Sequence, residues 1–544
     1  MAPGNEKLAA ALETLRALQV DGSRVFESEQ FTRTVRERLL QGGFLTEAMG
    51  GWLTSTSPQA HPGDTTPWFS CFWEFLSKYC QKRFGSEWCL SPEHSLLVHA
   101  EATAIPVQVV VQSPKANNNR VVLPFGTSIF ALKTSELVPD HDVEVRNGLR
   151  MYRAAAALVR ATPTFFENSP VEAQIVLGSI LEPSELLSRL LGGGHAVVAG
   201  RLASAFRQLG RGSIADEIVT AMKAAGHQVR EVSPISDGLS LASSSRTPIE
   251  GRLRALWATM RGTVEELFPS APGIPANSTD YLRDLDAIYE LDAYHSLSIE
   301  GYQVSEALIQ RVADGEWDPS HEVDQEHLSA LAAHGYWLAF KQVRAVVQAV
   351  LSGADAAALV RAQHRDWYRQ LFTPHVAAGL FNQGALAGYR NQPIYLRGSR
   401  HVPPRWELMG TAMNVLFDLV AEEPQPGVRA VLAHWLIGYV HPFPDGNGRV
   451  ARFVMNAMLA GGGYRWTVIR VEQRADYLAA LETASVQNDI APFARFIAEQ
   501  LSASTPASRE PNASRKRKPS ASRKTKSKTS RNKPRNRSKT RASN

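Results

Sequence analysis

Val428-Arg-Ala-Val-Leu-Ala-His-Trp-Leu-Ile-Gly-Tyr-Val-His-Pro-Phe-Pro-Asp-Gly-Asn-Gly-Arg-Val-Ala-Arg-Phe-Val-Met-Asn-Ala-Met-Leu-Ala460 is the stretch on which the reading of this 544-residue chain turns. Val428, Val431, Leu432, Trp435 and Leu436 share one helical face, and that helix must stop where Pro442 and Pro444 enter. Val450, Phe453, Val454, Ala457 and Met458 form a second apolar stripe, closed by Gly461-Gly-Gly463. His441 to Gly448 is therefore expected to be a short loop between two helices.

The residues of that loop suit a polyphosphate. Gly446 and Gly448 let backbone N–H groups approach an anion, and the following helix presents its positive end to the same place. Arg449 and Arg452, three apart, project from one face toward the start of that helix, and Asn456 extends the polar face a turn further. His441 is suited to accept a proton. Asp445 offers a hard oxygen to Mg²⁺, which commonly takes one or two carboxylates together with substrate phosphates. Taken singly, a His-Pro at a helix end reads as a cap and Gly-Asn-Gly as a turn; the joint pattern is what points to chemistry.

That joint pattern resembles the signature of the Fic family, His-Pro-Phe-x-Asp/Glu-Gly-Asn-Gly-Arg, matched at every position from His441 to Arg449 and followed by the second arginine, Arg452. The resemblance implies a protein adenylyltransferase that moves AMP from ATP to a Ser, Thr or Tyr hydroxyl of a target protein. His441 would be the base and Asp445 the Mg²⁺ ligand; Gly446, Asn447, Gly448, Arg449 and Arg452 would hold the phosphates. Upstream, Ala387-Gly-Tyr-Arg-Asn-Gln-Pro-Ile-Tyr-Leu-Arg397 and His401-Val-Pro-Pro404 look like the family's flap, a β-hairpin that pairs with the target, with Ile394, Tyr395, Leu396 and Arg397 on the nucleotide side. Downstream, Gly463-Tyr464, Glu472-Gln-Arg474, Tyr477 and Pro492 to Ile497 follow the family's order, and Tyr477 would contact the nucleotide. Two departures, Leu478 where relatives often carry a second tyrosine and Ser485 where they often carry asparagine, keep nucleotides other than ATP open.

Ser296-Leu-Ser-Ile-Glu300-Gly301 resembles the family's inhibitory motif, Ser/Thr-x-x-x-Glu-Gly/Asn. The likeness implies that Glu300 pairs with Arg452 and takes the space of the γ-phosphate, a competition of two anions for one guanidinium. The same glutamate could orient water and remove AMP from modified targets.

Outward from this centre the organisation is mainly α. An all-helical bundle with the flap is expected over 249–501, joined through the small, polar stretch 233–248 to an α+β half. Within that half, 1–70 reads as winged-helix-like, with a helix over Glu29 to Leu40 and a β wing. Residues 71–232 read as an accessory region with strands at Pro106 to Gln112 and Val121 to Leu123, then helices from Met151 to Ala224. This order, opened at Leu90-Ser-Pro-Glu-His-Ser-Leu-Leu97, looks like the regulator antitoxins of abortive-infection systems. Cys71, Cys80 and Cys89 fit neither a zinc spacing nor a disulfide framework and are expected in the core. Residues 502–544 hold fifteen Lys and Arg against Glu510, so this tail carries +14 of a net +6 and the rest of the chain −8. Without aromatic or large aliphatic residues the tail is expected to be disordered, and its cations suit non-specific contact with nucleic-acid phosphates. The rival reading is thus a DNA-binding regulator, or a toxin fused to its regulator, whose Fic part senses nucleotide. No secretory signal or membrane span is legible, so a cytoplasmic location is expected, and the sequence leaves room for a homodimer.

Overall fold

The computed structural model describes residues 4–19, 21–56, 58, 64–233, 247–317, 324–381, 383–394 and 396–503. Most of the linker 233–248 and the basic tail from 504 onward lie outside these described residues.

The chain starts with the helix Gly4–Leu18, strand β1 (Val25–Glu27) and the helix Arg33–Gln41, whose N-cap Thr32 accepts a hydrogen bond from the Val35 amide. β2 (Leu45–Met49) and β3 (Trp52–Ser55) follow as a hairpin, and β3 lies between β1 and β2 with Thr54 opposite both Val25 and Thr46. Ala11, Leu15, Phe26, Phe31, Leu39, Leu45 and Leu53 close a small core of their own.

The second region carries β4 (Cys89–Leu90), β5 (Gln108–Ser113), β6 (Asn119–Val122) and β7 (Ser128–Lys133) in the order β4-β5-β7-β6. The expected strands are present, but the chain returns through β7, which runs parallel to β5 and separates it from β6. Residues β5 and β7 turn inward, among them Val109, Val111, Ile129 and Ala131, meet the helix Phe72–Phe84, whose Phe72, Phe75 and Leu76 are buried against them. β8 (Val143–Arg146) and β9 (Leu149–Tyr152) form a hairpin around Asn147 and Gly148, both at positive φ (50° and 80°), as a tight two-residue turn requires. All three cysteines are buried and unpaired.

Helices take over from Ala154, and one hydrophobic core runs from Cys89 to Leu501 across both sides of the 233–248 stretch. Arg252 seals that junction, donating to the Ala100 carbonyl and to Glu172 at 2.9 Å while only 2% exposed. At the centre of the helical half, Pro426–Val440 and Asn447–Gly461 are buried on almost every face, as a helix apolar all round must be. They are surrounded by Pro248–Leu267, Ser278–Ile299, Asp324–Leu351, Ala356–Ala377 and Met409–Glu422. The long pair Asp324–Leu351 and Ala356–Ala377 approaches so closely that a Cβ on Gly335 would lie 2.1 Å from the Leu371 carbonyl oxygen. No helix of the described residues is long and apolar enough to cross a membrane.

Candidate active site

The loop between the two central helices is built by its own residues. His441 ends the first helix in the left-handed region, φ 52° and ψ 61°, with its amide donating to the Ile437 carbonyl at 2.8 Å. Pro442 disfavours the right-handed helical conformation for the residue before it, and the left-handed one costs a non-glycine residue about 1–2 kcal/mol, so surrounding contacts must hold it. Asn447 closes the loop: its Oδ1 accepts from the Phe443 amide and its Nδ2 donates to the Phe443 carbonyl, each at 2.8 Å. The Phe443 ring is stacked on Tyr368, centroids 4.2 Å apart. Gly446 is at φ 74° before the second helix, and a Cβ there would meet the Phe372 ring at 2.8 Å.

Both the oxygen and the nitrogen of the Asn447 side chain thus brace the loop backbone. The donors left at this helix start are backbone amides and two arginines. Arg449 is fully buried, and its Nε, Nη1 and Nη2 find no hydrogen-bond partner among the described residues. Its guanidinium lies over the rings of Phe372 at 4.9 Å and Tyr302 at 5.3 Å, with the Asp445 carboxylate 3.6 Å away. The charge is partly met by that carboxylate and the two ring faces, but the buried N–H groups still lack acceptors at hydrogen-bond distance, a deficit that an anion would fill.

Arg452 has partners on two of its three nitrogens, Nη1 finding none among the described residues. Nη2 meets Glu300 at 2.7 Å and the Ser296 carbonyl at 3.1 Å, while Nε donates to the Ser296 hydroxyl at 2.7 Å. Glu300 is the last residue of the turn closing Ser278–Ile299, and Gly301 at φ 92° redirects the chain. A carboxylate at the C-terminal end of its own helix is disfavoured by that helix's dipole. It is held because it faces the positive start of Asn447–Gly461: a Cβ on Gly448 would lie 2.4 Å from Glu300 Oε1. The carboxylate therefore occupies the anion position over the helix start. Burial works to raise the Glu300 pKa, yet Arg452 and then Arg449 hold it below the usual carboxylate value. Arg452 is raised in turn, Glu300 outweighing the burial that opposes its charge.

His441 Nδ1 lies 3.3 Å from the Gly438 carbonyl, and because a carbonyl only accepts, Nδ1 carries the hydrogen and Nε2 keeps its lone pair. Burial lowers the His441 pKa to about 4, against the Gly438 carbonyl, which raises it, and with the help of the Arg390 charge. Asp445 Oδ1 accepts from the Gly446 amide at 2.6 Å, and about half of the carboxylate side chain remains exposed at the loop mouth.

Two expectations need correction. Tyr477 is 3% exposed, its hydroxyl 2.7 Å from His434 Nε2 and its ring against Phe493 and Phe496. It is a core residue and offers no face to a base; Leu478, 41% exposed, is the outward one. Ser485, the other departure, accepts from Trp435 Nε1 at 3.1 Å.

The expected β-hairpin flap is the second. Among the described residues of 387–404 there is no strand; the isolated bridge here joins His401 to Ala104 of the N-terminal half. The Val402 amide donates to the Thr103 carbonyl at 2.8 Å, the Ile105 amide to Arg400 at 3.2 Å, and the Thr66 hydroxyl to Leu396 at 2.9 Å. The backbone groups a hairpin would pair within itself are taken by residues about 300 positions earlier. Ile394 and Leu396 are half-buried, Arg397 is exposed with Asp64 3.6 Å away, and Tyr395 lies outside the described residues.

Sequence reasoning also passed over Arg390, which was quoted in the flap without a role. It is 5% exposed and donates from Nε to the His441 carbonyl at 2.8 Å, and its own amide donates to Pro442 at 2.8 Å. An arginine in a loop gives no periodic signal, so only the folded chain reveals it.

A model of the Fic/DOC family matches residues 358–459. The chain is similar to the protein adenylyltransferase Fic of Nematostella vectensis, 28% identical over 263 residues, which are 48% of this chain and 58% of that protein. It is also similar to the protein adenylyltransferase fic-1 of Caenorhabditis elegans, 42% identical over 119 residues, 21% of this chain and 23% of that protein. The chain therefore covers less than two thirds of either relative's length. Among solved structures, Fic-1 of C. elegans (residues 134–508) aligns over 63% of this chain and 89% of its own, with 20% identity and a TM-score of 0.35. The loop at His441 lies inside the residues matched by the Fic/DOC family model.

Proposed function

We propose that this chain is a protein adenylyltransferase, held inactive by Glu300, that transfers AMP from ATP to a hydroxyl of a target protein. The observation that carries the reading is one buried helix start bearing two guanidinium groups, Arg449 without a hydrogen-bond partner among the described residues and Arg452 covered by a carboxylate. A polyphosphate satisfies the first and competes for the second. The similar proteins named as adenylyltransferases support the choice of reaction.

The target hydroxyl gives its proton to His441 Nε2 as its oxygen bonds to the α-phosphorus; the bridging α–β P–O bond breaks and pyrophosphate leaves with the electron pair. Once Glu300 is displaced, the Gly448 amide and the Arg449 guanidinium meet the charge that builds on the phosphate oxygens, joined by the Gly446 amide when Asp445 turns away from it. Asp445 fits magnesium as its one protein carboxylate, since among the described residues no three acidic, histidine or cysteine side chains gather into a metal site. Magnesium there would neutralise phosphate charge. Ser296 keeps hold of Arg452 through its hydroxyl and carbonyl, so removing Glu300 frees the anion position while leaving the guanidinium anchored.

Incubation of the Glu300→Gly chain with α-labelled ATP and magnesium tests the proposal. Label on the chain or on a lysate protein, with an AMP adduct by mass spectrometry, supports it; a folded variant that labels nothing overturns it. With Glu300 present, release of AMP from a labelled target would assign the hydrolytic direction to the same site.

A further inference from the structure

Arg390 lies between the 390–404 segment and the catalytic loop, and it is bonded to both. On the loop side its Nε donates to the His441 carbonyl and its amide to the Pro442 carbonyl, each at 2.8 Å, and Nη2 is 3.5 Å from the Val440 carbonyl. On the segment side Nη1 donates to Gln392 at 3.1 Å and Nη2 to Pro404 at 2.5 Å. Three successive carbonyls, those of Val440, His441 and Pro442, are therefore held by one residue, and the middle one belongs to the residue in the left-handed conformation. Guanidinium spreads five donors over three nitrogens in a planar fork, so it reaches carbonyls on two sides in fixed geometry; an ammonium has three donors on one nitrogen and cannot span the same set.

We propose, building on the adenylyl-transfer reading, that Arg390 is the positioning residue of this active site: it holds His441 in its left-handed conformation and keeps the 390–404 segment in register with it. Near the far end of that segment a second contact holds it, His401 donating from Nε2 to the Tyr439 carbonyl at 2.8 Å and bridging Ala104. Arg390 is thus the link at the end nearest the base. Its guanidinium donates to backbone carbonyls on both sides, so its loss should affect the chemical step far more than nucleotide binding.

The test compares Arg390→Lys and Arg390→Met in the Glu300→Gly chain. Transfer of label from α-labelled ATP is expected to fall at least 30-fold in both, with the KM for ATP within threefold of the parent. Hydrogen exchange is expected to rise together in peptides covering 440–446 and 400–405. Full activity in Arg390→Lys, a KM for ATP that worsens in step with the rate, or exchange rising at only one of the two segments would overturn the proposal. Should Arg390→Met fail to fold, Arg390→Lys decides alone. If the parent transfers no label, the transferase reading has failed, and the paired exchange response still tests the tether.

Discussion

The loop 441–449 and the segment 387–404 face each other across Arg390, yet they are organised on opposite principles. The loop is braced mainly by its own residues and the helix before it: Asn447 holds Phe443, Asp445 receives the Gly446 amide, and His441 closes on Ile437, with Arg390 reaching its carbonyls from outside. The segment has almost no such internal order and takes its course from Thr66, Thr103, Ile105 and Glu482, which receives the Arg400 amide at 2.8 Å. A self-braced loop can be read from a short motif. A segment whose backbone is satisfied by distant residues cannot, and its shape belongs to the whole chain.

The sharpest way to break this comparison is at the base. His441→Ala in the Glu300→Gly chain is expected to lower transfer about 10³-fold, the size of a general-base contribution, while ATP binding persists. Because burial holds the His441 pKa near 4, kcat/KM should stay flat from pH 8 to about 5.5 and fall only below, where the imidazole protonates. Glu300 raises that pKa, so its removal moves the acid limb lower still; an acid limb centred near 6.5 would contradict the buried geometry. Next in size, Glu300→Gly should raise transfer roughly 10- to 100-fold over the unaltered chain, the equivalent of one charged hydrogen bond of about 1.5–3 kcal/mol.

Smaller effects separate the two regions. Asn447→Ala leaves the Phe443 amide and carbonyl buried without partners, so urea unfolding should report a loss of about 1–3 kcal/mol. Thr66→Val removes one neutral hydrogen bond to Leu396, for about 1 kcal/mol, and should raise the KM for the protein target two- to threefold without changing that for ATP. If Thr66→Val instead weakened ATP binding, the segment would belong to the nucleotide site and the contrast drawn here would be wrong.

Much of the helical half was legible before any coordinates. Periodic apolar positions predicted the helices on either side of the loop, and the structure ends the first at Val440 and starts the second at Asn447. The pairing of Glu300 with Arg452 followed from the likeness to an inhibitory motif, and the 2.7 Å contact is present. Tyr477 was misread because its place in a motif says nothing about whether the ring faces inward. β7 was missed because Ser128–Lys133 is a short run whose parallel partner, β5, lies fifteen to twenty residues back across another strand.

What the sequence determined by itself is the helix-loop-helix junction: prolines stop one helix, glycines admit the turn, and two arginines three apart share a face. These are local consequences of backbone sterics and helical period. Only the tertiary structure decided that Arg449 is buried without a hydrogen-bond partner among the described residues, that Ser296 anchors Arg452, and that the 387–404 segment is bound to the N-terminal half through Arg400 to Val402. Each of these depends on which distant backbone groups need hydrogen bonds once water is excluded, and no local pattern encodes that.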